Sequence, residues 1–518
     1  MLTQALIIGG GVVGTGIARD LALRGVQCVV VEKGDINAGA SGSNHGLLHS
    51  GGRYVFTDPG AATECHEENI ILKKMAPHCI EDSGGLFVAV EGDDEKYAAD
   101  FPQLCAKCNI PCEWLDPKEV REIEPALSSR VIAAYLVDDA SIDPFKLSLE
   151  NIAQAQGSGS TFLSHTSVTG FEIENQRIRA VHLTHGNTGK ETVVEPEQVI
   201  NAAGAWVSEV AALAGIGIEM LYSKGTLLVT NHRIADKIVN RLRKPGDGDI
   251  LVPGGTISLL GTTSVRIDSL DRIRPTIEEV DLLVDEGSMM IPELKGTRYI
   301  RSYAGVRPLL KMETAHDDRS VSRGFMLLDH IVDGLKNFAT IPSGKLTTYR
   351  FIAEKTADLI CERLGVNAPC LTRTDPLPST PSGMWTEPAL SPEKWLREYH
   401  DDPLLCECEL IPKSAIESLV GSIHAHNEDL SLKAMGLRSR VGKGTCQGTF
   451  CGKRISAFLH ETGEMKGVEG LNDLRAFLQE RWKGERSVLW HSQIMQAELK
   501  EALYCGSFDL ETHGGNLK

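Results

Sequence analysis

Hydrophobic positions at the start of the chain come in short blocks separated by glycine. Residues 5–8 form an apolar run that meets Gly9-Gly10-Gly11. Over residues 12–24 the apolar side chains Val13, Ile17 and Leu21 recur at helical spacing, and the stripe stops before Gly25. Residues 26–32 are mostly apolar again and end at Glu32. Strand, glycine turn, helix and strand within roughly 30 residues predict a parallel βαβ unit heading an α/β domain. Strand and turn signals then alternate with helical stripes up to a long helix over residues 345–364. Beyond it Pro369, Pro376, Pro378, Pro381, Pro388, Pro392 and Pro403 interrupt residues 366–403, which predicts an extended linker or wrapping segment. A compact Cys-bearing stretch occupies residues 404–460. Two amphipathic stripes close the chain, with Leu471, Leu474, Leu478 and Trp482 on one and Trp490, Ile494, Leu499 and Leu503 on the other.

Composition narrows the class. The 518 residues suffice for two or three folded units. Hydrophobic residues at 42% and charged ones at 24% exclude a disordered, collagen-like or disulfide-scaffold chain. Lys+Arg 53 against Asp+Glu 70 leaves a formal charge of -17, which argues against nucleic acid or anionic lipid as a general partner. A small anionic substrate needs only a local basic pocket and stays open. No targeting segment is expected ahead of the first strand, and no run of apolar residues is long enough for a helical span. The 13 cysteines are odd in number and lack a secretory context, so metal binding or plain burial is the expectation, in an intracellular protein.

Gly9-x-Gly11-x-x-Gly14 falls at the strand-to-helix junction, and Glu32 closes the second strand. Gly9 permits the tight turn, Gly11 lets the backbone reach a pyrophosphate, and Gly14 allows the helix to pack on the strand. The phosphates then meet the positive end of the helix, and Glu32 accepts hydrogen bonds from the ribose hydroxyls. Two further segments bear on the choice between FAD and NAD. Residues 199–206 read as a strand ending in small residues, including Ala203 and Gly204, shaped for close approach to a long cofactor. Residues 338–345, with Gly344 and Lys345, lead into a helix whose N-terminus could stabilise negative charge on a reduced flavin. Three separated segments suit an extended FAD better than a nicotinamide dinucleotide.

The run from Ser41 through His49 to Gly51-Gly52-Arg53-Tyr54 resembles the flavin-contacting loop of the FAD-dependent glycerol-3-phosphate dehydrogenases. Ala304-Gly305-Val306-Arg307-Pro308-Leu309, Ser322-Arg323, and Gly344-Lys345 through Arg350 are similar to the same family, and so is Glu480-Arg481-Trp482-Lys483-Gly484 in the tail. With the Cys-bearing module added, the likeness is closest to the large catalytic subunits of the anaerobic branch. The resemblance implies that Arg53, Tyr54, Arg307, Arg323 and Lys345 line the substrate site, with Arg307, Lys345 and Arg323 at the chemistry. It also implies that Ser41, His49, Gly51 and Gly52 contact FAD. A phosphate monoester carries nearly two charges and needs convergent cations, which these arginines could supply. The chain departs from single-subunit relatives at Lys224-Gly225-Thr226-Leu227, where a substrate-contacting His is replaced by Leu227. His49 and His232 are the alternatives for a general base, and the sequence leaves the choice open.

Cys406-x-Cys408 and Cys446-x4-Cys451 make two close thiol pairs that could clamp an iron–sulfur cluster or zinc. Glycines flank the second pair, and the surroundings look like the small helical modules related to bacterioferritin-associated ferredoxin, which implies a 2Fe-2S cluster. Cys105, Cys108 and Cys112 lack an evident fourth ligand and are expected to be exposed or partly buried free thiols. Cys28, Cys361 and Cys370 read as core or linker residues.

The expected architecture is thus α/β. Residues 1–365 form a Rossmann-like FAD-binding domain of the D-amino-acid-oxidase-like type, interleaved with a mainly antiparallel β substrate domain. Residues 366–403 are the linker, 404–460 the 2Fe-2S module and 461–518 an amphipathic tail. The expected reaction is hydride transfer from sn-glycerol 3-phosphate to FAD, giving dihydroxyacetone phosphate. The resemblance implies that electrons pass through the cluster to partner chains, namely an iron–sulfur membrane-anchoring subunit together with a second flavin-type subunit. The quinone pool would be the acceptor, at the cytoplasmic face of the membrane. Trp482 and Trp490 mark candidate docking faces, with packing on the cysteine module as the alternative. Two other readings stand beside this one, an amine or imino-acid dehydrogenase with the same modules and a non-catalytic electron-transfer or metal-carrier subunit.

Overall fold

A computed structural model of the chain describes residues 1–271, 273–311, 324–378, 401–426, 428–490 and 492–508. The opening unit is β1 (Leu2–Ile8), α1 (Val12–Leu23) and β2 (Cys28–Val31), close to the expected spans. β1 sits at the centre of a parallel sheet, flanked by β2 on one side and by Glu191–Asn201 on the other. Thr161–Leu163 extends the sheet beyond β2, and Phe338–Thr340 pairs with the end of Glu191–Asn201. An antiparallel hairpin, Thr166–Glu174 with Arg177–His185, continues the outer edge. α1 and the helices Pro144–Gly157 and Tyr349–Leu364 bury their apolar faces, with Ile17, Leu21, Ile152 and Ile352, in one core against the sheet. Pro144–Gly157 starts where it does because Asp143 accepts hydrogen bonds from the N–H groups of Phe145 and Lys146, with Pro144 already fixed for the first turn.

The second sheet has nine strands drawn from residues 85–137, 220–267 and 299–310, so the two sheets alternate along the chain. Its pairings are antiparallel except that Gly85–Val90 runs parallel to Ile238–Arg241. The long pair Met220–Thr230 and Tyr299–Leu310 sets Gly225 opposite Gly305 and Ser223 opposite Arg307. That register brings Arg307 to the junction of the two sheets.

Several expectations are modified. The helix expected from residue 345 begins at Tyr349, because residues 341–348 stay irregular and Thr347 Oγ1 accepts the His49 N–H at 3.1 Å. The first part of the Pro-rich segment wraps the α/β domain, where Leu377 is buried with Val12, Leu48 and Leu72. Pro381, Pro388 and Pro392 lie outside the described residues. The division at residue 460 falls inside a single core, since Leu474, Phe477 and Leu478 of helix Gly467–Glu485 pack with Ile455, Phe458 and Leu459. The short helices of the cysteine module do not bury their apolar faces without it. Trp490 packs instead on the antiparallel-sheet core, edge-on to Tyr299 at 5.7 Å, while Ile494, Leu499 and Leu503 are exposed. Cys105 and Cys108 are buried rather than exposed, because the end of helix Glu95–Lys107 places them in one core with Phe87 and Phe101.

The cysteine module is fastened to the α/β domain by buried ion pairs. Arg438 donates to both oxygens of Asp35 at 2.7 and 2.8 Å and also to Glu428. Arg440 joins Glu409 at 2.6 Å and Asp143 at 3.3 Å.

Candidate functional site

The glycine turn is shaped by close approaches that no side chain would permit. Gly9 has φ of 120°, and a Cβ there would lie 2.4 Å from the Ala202 carbonyl oxygen. A Cβ on Gly14 would lie 2.0 Å from the Gly9 oxygen, so α1 packs directly on the turn. α1 has no acidic residue in its first turn and no side-chain cap on its first residue. The Val12 N–H donates to Ser41 Oγ at 2.9 Å, and this end of the helix is receptive to negative charge. Glu32 accepts from the Gly10 N–H at 2.7 Å and the Gly34 N–H at 2.8 Å. Burial raises its pKa while these two hydrogen bonds oppose the rise.

A cavity of about 660 Å³ opens over this turn. Gly9, Gly11, Glu32, Ser41, His49, Tyr54, Ala203, Gly204, Arg307, Gly344 and Lys345 all line it. They arrive from separate parts of the chain because the cavity lies at the junction of the two sheets. The cradle has room for an extended FAD, whose phosphates the glycine backbone and the α1 terminus could meet and whose ribose Glu32 could reach.

Other expected residues are placed elsewhere. Gly14, Gly51, Gly52 and Arg53 do not line the cavity. Gly51 has φ of 100° and faces the Ala62 carbonyl, and Gly52 packs under Phe87. Arg53 donates to Asp249 at 2.7 Å, and Arg243 joins the same buried carboxylate. Its guanidinium is therefore committed to a structural ion network. Arg323 lies outside the described residues.

Arg307 passes over Gly225, where a Cβ would sit 2.6 Å from Nη2. Nη1 donates to the Thr263 carbonyl at 3.0 Å and Nη2 to Thr262 Oγ1. Lys345 holds its Nζ 4.8 Å from the Tyr54 ring, which in turn meets His49 edge-on at 5.2 Å. Leu227 lines the cavity at the position where an imidazole is absent. Of the two histidines, His49 lines the cavity, whereas His232 is a half-exposed surface residue paired with Glu293 at 2.8 Å.

Sequence reasoning did not single out Lys33, His45, Trp206 or Glu209, which also line the cavity. Lys33 stacks on Trp206 at 3.7 Å. His45 and Trp206 lie inside the segments already singled out, so their neighbours in the chain were the available signal. His45 accepts the Leu47 N–H on Nδ1 at 3.2 Å.

Cys406, Cys408, Cys446 and Cys451 lie close enough for each thiol to shift the ionisation of its neighbours. Cys446 is held far below the usual thiol range, first by the Cys408 side chain, then by Cys451, and also by the N–H groups of Phe450 and Gly448. Among the described residues, no group of three or more His, Cys, Asp or Glu is positioned to hold a metal ion.

A two-sheet fold with a glycine-turn cavity at its junction defines a flavoprotein of the oxidoreductase class. The family model described as FAD dependent oxidoreductase matches residues 4–359. The A-subunit of the anaerobic glycerol-3-phosphate dehydrogenase of Escherichia coli (strain K12) is 40% identical over 98% of this chain and 97% of its own. The corresponding A1-subunit of Haloferax volcanii is 37% identical over 98% and 90%. The chain belongs to the FAD-dependent oxidoreductases, in the branch of these anaerobic glycerol-3-phosphate dehydrogenase chains. The crystal structure of a Bacillus halodurans glycerol-3-phosphate dehydrogenase complexed with FAD shares the fold, with a TM-score of 0.65 over 95% of this chain and 97% of that one at 20% identity.

Proposed function

We propose that this chain oxidises sn-glycerol 3-phosphate to dihydroxyacetone phosphate with FAD seated in the 660 Å³ cavity. The observation that carries the reading is that Arg307 and Lys345 line the same cavity as the Gly9–Gly11 turn, which sets two cations beside a dinucleotide site. The activity named for the full-length relatives supports the choice of substrate. Bound FAD supplies a hydride acceptor, chemistry that no side chain provides.

The chain's own residues bind and orient. Gly9 and Gly11 leave backbone room for the pyrophosphate, Gly14 lets α1 pack on the turn, and Glu32 accepts from the ribose. Arg307, with Arg323, holds the substrate phosphate through paired N–H donors. Lys345 and Tyr54 hold the reacting end of the substrate, and His49 takes the proton of its hydroxyl. A carboxylate substrate would need one arginine, so the cationic set favours the phosphate over an imino acid.

In the same reading Cys406, Cys408, Cys446 and Cys451 hold a 2Fe-2S cluster. The bacterial and archaeal relatives are each one component of a larger dehydrogenase, which supports partner chains here. We assign two of these. One is a second flavin-type subunit. The other is an iron–sulfur subunit that anchors the complex at the cytoplasmic face of the membrane and delivers electrons to quinone. No helix among the described residues is long and apolar enough to cross a membrane, so attachment would run through those partners.

The test is dye-linked turnover with FAD-loaded protein, comparing glycerol 3-phosphate, glycerol, L-proline and glycine. The reading requires a kcat/KM for glycerol 3-phosphate at least about 100-fold above the others, since a paired charge contact is worth several kcal/mol. Preference for an amino or imino acid would replace it with the dehydrogenase alternative.

A further inference from the structure

A second cavity of about 880 Å³ lies where the α/β domain, the antiparallel sheet and the cysteine module meet. It adjoins the flavin cavity only through Ala38 and the Ser43-Asn44-His45 stretch, which line both. Among the described residues seven cationic side chains line it, Arg301, Arg440, Lys443 and Arg481 among them, beside four carboxylates that include Asp143 and Glu480. Arg440 is already balanced by Glu409 and Asp143. Arg301 and Arg481 are not comparably served. Each has a buried Nε with no hydrogen-bond partner among the described residues; of the carboxylates near Arg301, Glu480 is engaged by Lys483 at 2.5 Å and Glu485 acts through its charge. Burial, and then the charge of Arg301, push the Arg481 guanidinium down to about 9. Burial likewise pushes Lys443 down to about 7.

Buried Nε donors without partners, beside like charges in a partly open cavity, favour an anion that completes them. The backbone makes room for them. A Cβ on Gly442 would lie 2.8 Å from Arg481 Nη2, and one on Gly484 would lie 2.8 Å from Arg301 Cγ. Arg481 and Gly484 belong to the Glu480–Gly484 run, which the flavin chemistry does not use. The cations also rest on aromatic faces, Arg481 at 4.6 Å from Phe477, Arg301 at 5.8 Å from Tyr303 and Lys443 at 3.4 Å from Phe145.

We propose that this cavity is a second ligand site, taking a small organic phosphate whose anionic end is gripped by Arg301 and Arg481. Two guanidinium forks with Lys443 beside them match a dianion better than a single carboxylate. The cavity of about 880 Å³ far exceeds a phosphate group, so the ligand is an organic ester rather than the free ion. It would sit between the flavin cavity and the four cysteines, and it differs from the substrate bound at Arg307.

Equilibrium dialysis of the FAD-loaded full chain against labelled inorganic phosphate tests the site. The expected result is two phosphates per chain. Arg301→Gln or Arg481→Gln should weaken one of them by about tenfold or more, and Arg307→Gln should remove the other. If only the Arg307-sensitive phosphate binds, or if uptake is unchanged by both Arg301→Gln and Arg481→Gln, the second site does not exist. If Arg307→Gln has no effect while Arg301→Gln still removes a phosphate, the substrate reading fails and this one stands. Should the glutamine variants not fold, Arg301→Lys and Arg481→Lys keep the charge but lose the fork. They must still weaken binding by about threefold or more, and unchanged affinity in both would overturn the proposal.

Discussion

Arg307→Ala removes the cation on which the substrate assignment rests. The guanidinium is held by the Thr263 carbonyl at 3.0 Å and by Thr262, and it passes over Gly225, so its position is fixed before substrate arrives. A preorganised charge-assisted contact to phosphate is worth about 2–4 kcal/mol in the transition state. At about 1.4 kcal/mol per factor of ten, the variant loses roughly 30- to 700-fold in kcat/KM for glycerol 3-phosphate. The Thr263 carbonyl left behind costs about 1–3 kcal/mol of stability and the partly exposed Thr262 hydroxyl less, so the protein should still fold and carry FAD. Stopped-flow reduction of the flavin at varied substrate concentration, without oxygen, separates binding from the chemical step. Arg307→Lys, keeping charge without the planar fork, should fall between wild type and Ala. Preference should shift toward unphosphorylated glycerol in the Ala variant. A kcat/KM within about threefold of wild type at full flavin content would show that the phosphate is bound elsewhere.

Further outcomes follow from the same geometry. Gly11→Val places a branched side chain where even a Cβ would lie 2.9 Å from Ser41 Oγ, and it should yield folded protein without visible flavin absorbance. A full flavin complement in that variant would relocate the dinucleotide site. Cys446→Ser should leave reduction of the flavin by substrate intact, abolish the electron paramagnetic resonance signal of a reduced 2Fe-2S cluster, and block transfer to quinone in reconstituted membranes. Retention of the signal would remove Cys446 from the ligand set. Burial opposes ionisation of Asp35, but Arg438 outweighs it and holds the carboxyl below the usual carboxylate range. A carboxyl lowered by folding contributes stability above its unfolded value, near pH 4, and loses it as pH falls through the folded value. The junction of the cysteine module should therefore loosen below about pH 4, a dependence that Asp35→Asn abolishes at a cost of about 3–5 kcal/mol for breaking a buried pair. Unfolding followed at a series of pH values measures both effects, and an unchanged acid limb in Asp35→Asn would contradict the assignment.

The parts of the fold legible in the sequence are those set by local sterics and short-range periodicity. β1, the glycine turn, α1 and β2 needed only neighbouring residues, and Glu32 followed from the end of the second strand. The interleaving of the two sheets was expected from the family resemblance and not from the apolar runs themselves. What failed depended on distant partners. Arg53 looked available because Asp249, which holds it, lies 196 residues away. The stripe around Leu474 reported an amphipathic helix without saying that its partner was the core at Ile455 and Phe458. Cys105 and Cys108 lie among charged residues in sequence, yet the last turn of helix Glu95–Lys107 and its cap bury them in the core with Phe87 and Tyr135. Arg301, Arg440 and Arg481 belong to three segments that meet only once the cysteine module docks, so no spacing rule could have grouped them.

The central claim is that glycerol 3-phosphate delivers its hydride to FAD in the cavity shared by the Gly9–Gly11 turn, Arg307 and Lys345. The most direct measurement is the visible spectrum of the purified FAD-loaded protein as glycerol 3-phosphate is added without oxygen, with product counted in the same cuvette. The account predicts that the flavin bleaches and that one dihydroxyacetone phosphate appears for each flavin reduced. A spectrum unmoved by excess glycerol 3-phosphate, in protein whose flavin dithionite still reduces, would contradict it.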